Sequence, residues 1–265
     1  MINTLFKPIL ERLPENNKLE RIWILAKTDF IQRYYGTKLG IVWALINPFF
    51  QLIIYYVVFT MLFAGRIPNF ALYLFSGLIT MMFFSESTSK GLTLLNKYKL
   101  ILENINMKKL DLFHASLLSN LMGFAFNFFI YLVFSQFFSV EYNLNFLYVP
   151  LIILNLYLFV FAVQLILGIL NVYFRDVNHL WDMILLASFW SSPVFYGKEV
   201  IIDNAPILLY ANPLAGILIN LRETSLYGAP PMLDILLLNF FQALILLAIA
   251  SIIFKKYSAK AIEIL

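Results

Sequence analysis

The chain has 265 residues, of which 62% are apolar and 13% charged, and it carries a formal net charge of +4. Soluble domains are about a quarter charged, and long apolar runs fill most of this length, so no separate soluble catalytic domain fits. It has no cysteine, which excludes disulfides, thiolate metal sites and cysteine nucleophiles.

Residues 1–17 are polar and punctuated by Pro8 and Pro14, and read as an N-terminal tail. The first forty residues hold no continuous apolar core of a signal peptide, so the first span is expected to serve as the insertion signal. Over residues 18–36, Leu19, Ile22, Trp23, Ala26, Phe30 and Tyr34 recur at helical spacing, with Arg21, Thr28 and Gln32 opposite. A helix with Trp and Phe on one side and Lys or Arg elsewhere tends to lie flat in a membrane interface. That placement, on the cytoplasmic side, is the expectation; an amphipathic helix packed on a partner is the other reading.

Gly36 and Gly40 permit a sharp turn into the first span. A hydrocarbon layer roughly 30 Å thick needs about twenty apolar residues per helix. Residues 37–265 therefore read as one domain of six spans at about 41–63, 70–93, 112–138, 146–174, 180–196 and 232–254, the fifth of borderline length. Pro48, after Asn47, predicts a kink in the first. The second ends in the polar Ser85-Glu86-Ser87-Thr88-Ser89-Lys90, where Glu86 and Lys90 stand at the spacing of a local ion pair.

The connection over 96–109, NKYKLILENINMKK, holds more apolar surface than a solvated loop keeps. It predicts a short helix docked on the bundle or on another subunit. Residues 197–231 are apolar pieces broken by Pro206, Pro213, Pro230 and Pro231. Eight helical residues rise only about 12 Å, so these pieces are expected to form short external helices, re-entrant or interfacial.

Basic residues set the orientation. Lys7, Arg12, Lys18, Arg21, Lys27, Arg33 and Lys38 precede the first span, Lys90, Lys97, Lys99, Lys108 and Lys109 follow the second, Arg175 follows the fourth, and Lys255, Lys256 and Lys260 follow the last. Against them stand Arg66, Lys198 and Arg222. The positive-inside rule then places both termini in the cytoplasm. The charge reads as topology and lipid-headgroup contact, not nucleic-acid binding.

No catalytic or cofactor site emerges. His114 and His179 have no metal-ligand spacing, and no GxxxxGK[ST] phosphate loop occurs, so the chain by itself has no P-loop ATPase. The span centres hold Asn47, Gln51, Asn127 and Gln164 rather than the ionisable groups of ion-coupled carriers. Energy must come from a partner. Tyr55, Tyr56 and Phe59 in the outer half of the first span, and Trp190, Phe195 and Tyr196 at the end of the fifth, fit an interfacial aromatic belt or the wall of a glycan path.

Several stretches, in order, resemble one family. Arg33-Tyr34-Tyr35-Gly36-Thr37-Lys38-Leu39-Gly40-Ile41-Val42-Trp43 with Asn47-Pro48 resembles its R-Y-x-x-x-x-L-G-x-x-W…P opening. Asn171-Val172-Tyr173-Phe174-Arg175-Asp176 resembles its N-x-x-F-R-D, and Phe189-Trp190-Ser191-Ser192-Pro193-Val194-Phe195-Tyr196 its aromatic-x-x-x-P-[IV]-x-Y run. Tyr210-Ala211-Asn212-Pro213 resembles its Y-N-P with Ala211 inserted. The family is the membrane permease subunit of ABC transporters exporting O-antigen, capsular polysaccharide or teichoic acid, and the resemblance runs from about residue 20 to the C-terminus.

The resemblance implies a homodimer in a bacterial inner membrane, joined to two copies of a cytoplasmic ATPase that uses ATP and Mg and exporting a lipid-linked polysaccharide. It makes 96–109 a coupling helix, with Leu100, Ile101, Ile105 and Met107 as its ATPase contact. It also implies that the N-terminal helix flanks a lateral access for the lipid, with Lys27, Arg33 and Lys38 at its pyrophosphate; positive-inside topology and anionic-lipid contact are the other reading of each of those cations. Arg175 and Asp176 would brace a cytoplasmic gate as an ion pair, or form an ordinary exposed pair, and the six rings above would line the substrate path. A permease for teichoic acid, a drug or a small lipid is the nearest alternative. A membrane sugar or acyl transferase is the alternative of another class, although Asp176, Asp182, Glu199 and Asp203 share no motif. Without a phosphate loop, the purified chain alone should show no ATPase activity above a protein-free blank; measurable hydrolysis would overturn the reading.

Overall fold

Phe70 to Lys97 form the helix around which the rest is arranged, buried on nearly every side: Leu72, Tyr73, Leu74 and Phe75 are all enclosed in succession. In the computed structural model, which describes residues 17–34, 38–63, 67–104, 107–138 and 140–264, every regular element is helical. In chain order these are α1 (Lys18–Tyr34), α2 (Trp43–Phe63), α3 (Phe70–Lys97), α4 (Lys99–Asn104), α5 (Lys109–Gln136), α6 (Val149–Tyr173), α7 (Val177–Ser191), α8 (Lys198–Asn204), α9 (Pro206–Ala211), α10 (Pro213–Ser225) and α11 (Leu233–Ile264). Short 3-10 turns, Gly40–Val42 and Leu144–Tyr148, lead into α2 and α6. The tail over 1–16, and Tyr35, Gly36, Arg66 and Ile105, lie outside the described residues.

At 1.5 Å per residue α3 rises about 40 Å, so its two ends lie at opposite ends of the bundle. It packs on α2, α5, α6 and α7, while α6 packs against α11 and α1 against α5. Gly91 makes the α3–α6 approach possible: a Cβ there would collide with Gln164. Four stretches among the described residues are long and apolar enough to cross a membrane: Phe70–Lys97, Lys109–Gln136, Leu144–Tyr173 and Leu233–Ala261. The other two expected spans are less complete. In α2 the qualifying apolar stretch is Ile46–Thr60. α7 stops at Ser191, before Ser192 and Pro193, because a residue preceding proline is pushed out of helical conformation. Its 15 residues rise only about 22 Å, short of a full crossing.

α1 packs on α5 along part of its surface. Asn17 caps it, its Oδ1 accepting from the Glu20 amide at 3.3 Å. Ile22 and Ala26 bury against Ala115, with Leu118 and Met122 alongside. The expected apolar face is thus divided: part packs on α5, while Leu19, Trp23 and Ile31 remain exposed. The fall of apolar residues marks a sided helix but not which third of it a neighbour covers.

At the end far from α1, residues 197–231 contain α8, α9 and α10. The Asn212-Pro213 pair starts α10: Asn212 Oδ1 accepts from the Leu214 amide at 3.1 Å, and Pro213 occupies the first turn, where its missing N–H costs nothing. Asn212 Nδ2 also donates to Ser191 Oγ and Ser192 Oγ, each at 3.0 Å. α10 has 13 residues and is buried from Leu214 to Ser225.

Arg222, which the sequence marks only as an outlying charge, is the fastener of this end and is 2% exposed. Its guanidinium donates to Ser76 Oγ at 3.2 Å, to the Tyr73 carbonyl at 2.9 Å, to the Val194 carbonyl at 3.3 Å and to the Pro193 carbonyl. It also covers the Tyr73 ring at 3.4 Å. One side chain thereby joins α10, the first turns of α3 and the α7–α8 link. Gly77 leaves the room: a Cβ there would lie 2.5 Å from Arg222 Nη2. A lysine keeps the charge but not the fork of donors. Arg222→Lys should therefore cost about 2 kcal/mol or more, read as a lower unfolding temperature in detergent; an unshifted transition would show that the fork does not hold this end.

Candidate functional site

On α1, Asp29 and Arg33 stand one turn apart; on α3, Glu86, Lys90 and Lys97 stand at i, i+4 and i+11, a single stripe of a helix. The helices meet so that these stripes pair in opposite directions. Asp29 binds Lys90 and lies 3.8 Å from Lys97. Arg33 binds Glu86 at 3.0 Å and also donates to Asn120 Oδ1, while Asn120 Nδ2 donates to Ser87 Oγ at 3.0 Å. Nearer the start of α1, Arg21 and, at 3.9 Å, Lys18 face the fully buried Asp111 of α5.

This corrects the expected pairing of Glu86 with Lys90, since each binds α1 instead. An i,i+4 pair on an exposed helix gains only about 0.2–0.5 kcal/mol, and α1 offers each charge a partly enclosed partner. Burial alone would raise the Asp29 carboxyl, but Lys90, Ser119 and Lys97 together hold it below its ordinary 3.8. With the folded value lowered, the stabilisation from Asp29 is complete above 3.8 and is lost only as pH falls through that lowered value.

Between α1, α2, α3 and α5 these charges enclose a cavity of about 710 Å³, walled by Asp29, Gln32, Arg33, Trp43, Asn47, Glu86, Lys90, Lys97 and Asn120. A narrower extension of about 40 Å³ continues past Arg33 beneath the Asn47-Pro48 step, reaching Asn127. Pro48 has no amide hydrogen, so the Ala44 carbonyl loses its helical donor there. The Asn127 Oδ1 is buried without a hydrogen-bond partner. The cavity is thus lined by three cations held by carboxylates, and it leads into a polar crevice in an otherwise apolar bundle. That arrangement can exchange carboxylates for another anion.

Of the expected pyrophosphate contacts, Arg33 lines this cavity, whereas Lys27 and Lys38 are exposed and are not among the described lining residues. Lys90 and Lys97 were missed as site residues. The charge stripe at 86, 90 and 97 was the available signal, hidden in a segment read as the end of a span.

Five of the six expected path aromatics share one neighbourhood at the far end. Phe195, 2% exposed, stacks on Phe59 at 4.2 Å and meets Tyr55 at 5.1 Å and Trp190 at 5.6 Å, with Phe189 at 5.1 Å completing the group. Tyr196 donates to the Trp190 carbonyl at 3.0 Å, and its own carbonyl accepts from Tyr73 at 2.6 Å. Tyr56 stands apart against Phe70, at 6.2 Å. These rings tie α2 to α7 and its following turn.

In the expected coupling segment, α4 is one short helix. Tyr98, Leu102 and Met107 belong to the main core, so Met107 faces inward, while Leu100 is 55% exposed. Ile105 lies outside the described residues, as does the Ile101 side chain. Arg175 and Asp176 are both exposed, and among the described residues no ion pair joins them. The motif around them works through asparagine: Asn171 Nδ2 donates to the Leu92 carbonyl at 3.0 Å, and Asn178 Nδ2 donates to Asn171 Oδ1 at 2.8 Å.

A double exchange tests the α1–α3 register. Arg33→Glu should speed protease cleavage in α1 a few-fold, matching a cost of about 0.5–1 kcal/mol for so exposed a pair, and adding Glu86→Arg should slow it again; no recovery in the double variant would refute the pairing.

The family model described as ABC-2 type transporter matches residues 20–226 of the chain. The O-antigen export system permease protein RfbA of Klebsiella pneumoniae is 26% identical over 249 residues, covering 91% of this chain and 93% of that protein. A protein of the same name from Myxococcus xanthus is 26% identical over 233 residues, covering 87% of this chain and 90% of its own length.

Proposed function

Because the chain belongs to the ABC-2 type transporter family, we propose that it is the permease subunit of an exporter that carries a lipid-linked polysaccharide of O-antigen type across the inner membrane. The end-to-end similarity to relatives named as O-antigen export permeases carries this reading. The charged cavity beside α1 supports it chemically. A lipid-linked glycan presents phosphate between its lipid and its sugars. Arg33, Lys90 and Lys97 can exchange Glu86 and Asp29 for phosphate oxygens, with the arginine binding in a bidentate fork.

Orientation follows from charge. α1 and α4 share one end of the bundle with the C-terminal turns of α11, and that end carries nearly all the lysines and arginines, which favours the cytoplasm. The anionic headgroup enters there, between α1 and α3. The glycan then follows the crevice beneath Pro48, where Asn47, Asn120 and Asn127 offer hydrogen bonds to hydroxyls, as α2 moves off α3 and α5. At the far end Tyr55, Phe59, Phe195 and Trp190 must part, presenting ring faces to sugar C–H faces, and α8–α10, fastened by Arg222, close the exit.

The chain is a transporter subunit rather than an enzyme, and hydrolysis falls to two copies of a separate ATPase. α4 is the relay: Leu100 faces outward to the ATPase, while Tyr98 and Leu102 pass the push into the core. Two copies of the chain complete the path. The exposed apolar faces of α2 (Phe50, Ile53, Ile54) and α7 (Met183, Ile184, Leu186) supply their contact. Deleting the gene should abolish surface polysaccharide and trap lipid-linked glycan inside, and Lys90→Gln with Lys97→Gln should lower surface glycan about tenfold or more. Normal surface glycan in the deletion strain would refute the substrate assignment.

A further inference from the structure

At the same end of the bundle as α1, but walled by different residues, a second cavity of about 510 Å³ lies between the first turn of α5 and α11. Lys108 and Lys109 approach it from the start of α5 and Lys255 from α11. Met107, Leu110 and Phe254 give it an apolar wall, and Ser251 and Ser258 add hydroxyls. None of the described lining residues is acidic, and among the described residues no ion pair holds Lys108 or Lys255. The site lies at a fixed depth: the apolar run of α5 begins at Leu112, and that of α11 ends at Phe254, one residue before Lys255. The lysines therefore sit where the hydrocarbon layer gives way to headgroups, with Leu110 at that boundary and Phe254 just inside it.

We propose that this cavity binds one anionic phospholipid, its phosphodiester between Lys108 and Lys255 and an acyl chain along Leu110 and Phe254. Basic pockets between membrane helices on the cytoplasmic side suit acidic lipid headgroups, while a zwitterionic headgroup brings its own cation and gains little. The first-turn amides of α5, a helix of 28 residues, add donors and a favourable dipole for the phosphate. The cavity adjoins Met107, which leads directly into α5 from the segment after α4, so the lipid braces the base of the proposed relay. The inference requires only that the chain is a membrane protein, and it stands or falls apart from the polysaccharide reading.

The test uses the full-length chain, extracted in detergent and titrated with dioleoyl phosphatidylglycerol or dioleoyl phosphatidylcholine, with bound lipid counted by native mass spectrometry. The wild-type chain should retain phosphatidylglycerol in preference. Each lysine near the headgroup plane is worth about fivefold, so Lys255→Gln alone should weaken phosphatidylglycerol about fivefold. The double change Lys108→Gln with Lys255→Gln should weaken it about twenty-five-fold, leaving phosphatidylcholine unchanged. Lys256→Gln with Lys260→Gln, outside the cavity, should change neither. No headgroup preference in the wild-type chain would overturn the proposal without recourse to any variant. So would an equal loss in the control pair, which would mean diffuse surface charge. A prenyl diphosphate that displaces phosphatidylglycerol would assign the cavity to the exported lipid and also overturn it.

Discussion

Asp29 and Arg33 follow one another up α1 while Lys90 and Glu86 follow one another down α3, and only an opposed approach of the two helices satisfies all four. That complementarity fixes where the N-terminal helix lies, which in turn shapes the charged cavity between it and α2. An exposed ion pair contributes little by itself. Here the pairs act together with the burial of Ile22 and Ala26 on α5 and with Asp111, which draws in Arg21 from the far side. Apolar contact supplies the adhesion and the charges supply the register. Because charges can be exchanged for those of a ligand at small cost while apolar contacts persist, the same arrangement can hold a helix in place and still admit an anion.

The opposite end is built on a different balance. Arg222 is enclosed, and its donors go to carbonyls and a hydroxyl rather than to a carboxylate. Burying a cation costs much unless its donors are satisfied, so each of these contacts is needed and the segments they join are held closely. Asn143 and Asn145 add a second fastening, both donating to the Gly228 carbonyl, at 2.6 and 2.8 Å. An end where short helices break off inside an apolar bundle must satisfy many freed backbone groups, and polar side chains aimed at carbonyls do that here. The two ends thus differ in kind: one is held by pairs of opposite charge, the other by a buried fork whose donors are taken up by carbonyls and a hydroxyl.

Between them, α3 carries both functions on one continuous helix. Its first turns receive Arg222 and its last turns receive α1 and lead into α4. One continuous helix therefore links the two ends. The polar stretch Ser85 to Lys90 is explained by the same geometry. Ser87 supports Asn120, Thr88 Oγ1 accepts from Trp181 Nε1 at 3.1 Å, and Glu86 and Lys90 face α1. Ser85 instead donates to the Met82 carbonyl of its own helix at 3.2 Å.

Hydropathy alone determined the class of the protein, the existence of α3, α5, α6 and α11, the breaks before α8 and after α9, and the segregation of basic residues to one end. These are properties of consecutive residues, and solvent transfer acts on them whatever the neighbours are. The sided character of α1 was legible for the same reason, since helical periodicity is local. Tertiary structure decided which side of α1 is covered, that Glu86 and Lys90 pair across helices, that Met107 turns inward, and that Arg222 is a buried fastener rather than a surface charge. Those outcomes depend on a partner tens of residues away: a side chain's spacing says which face it occupies, but only the helix packed against that face determines whether it meets a charge, a carbonyl or solvent.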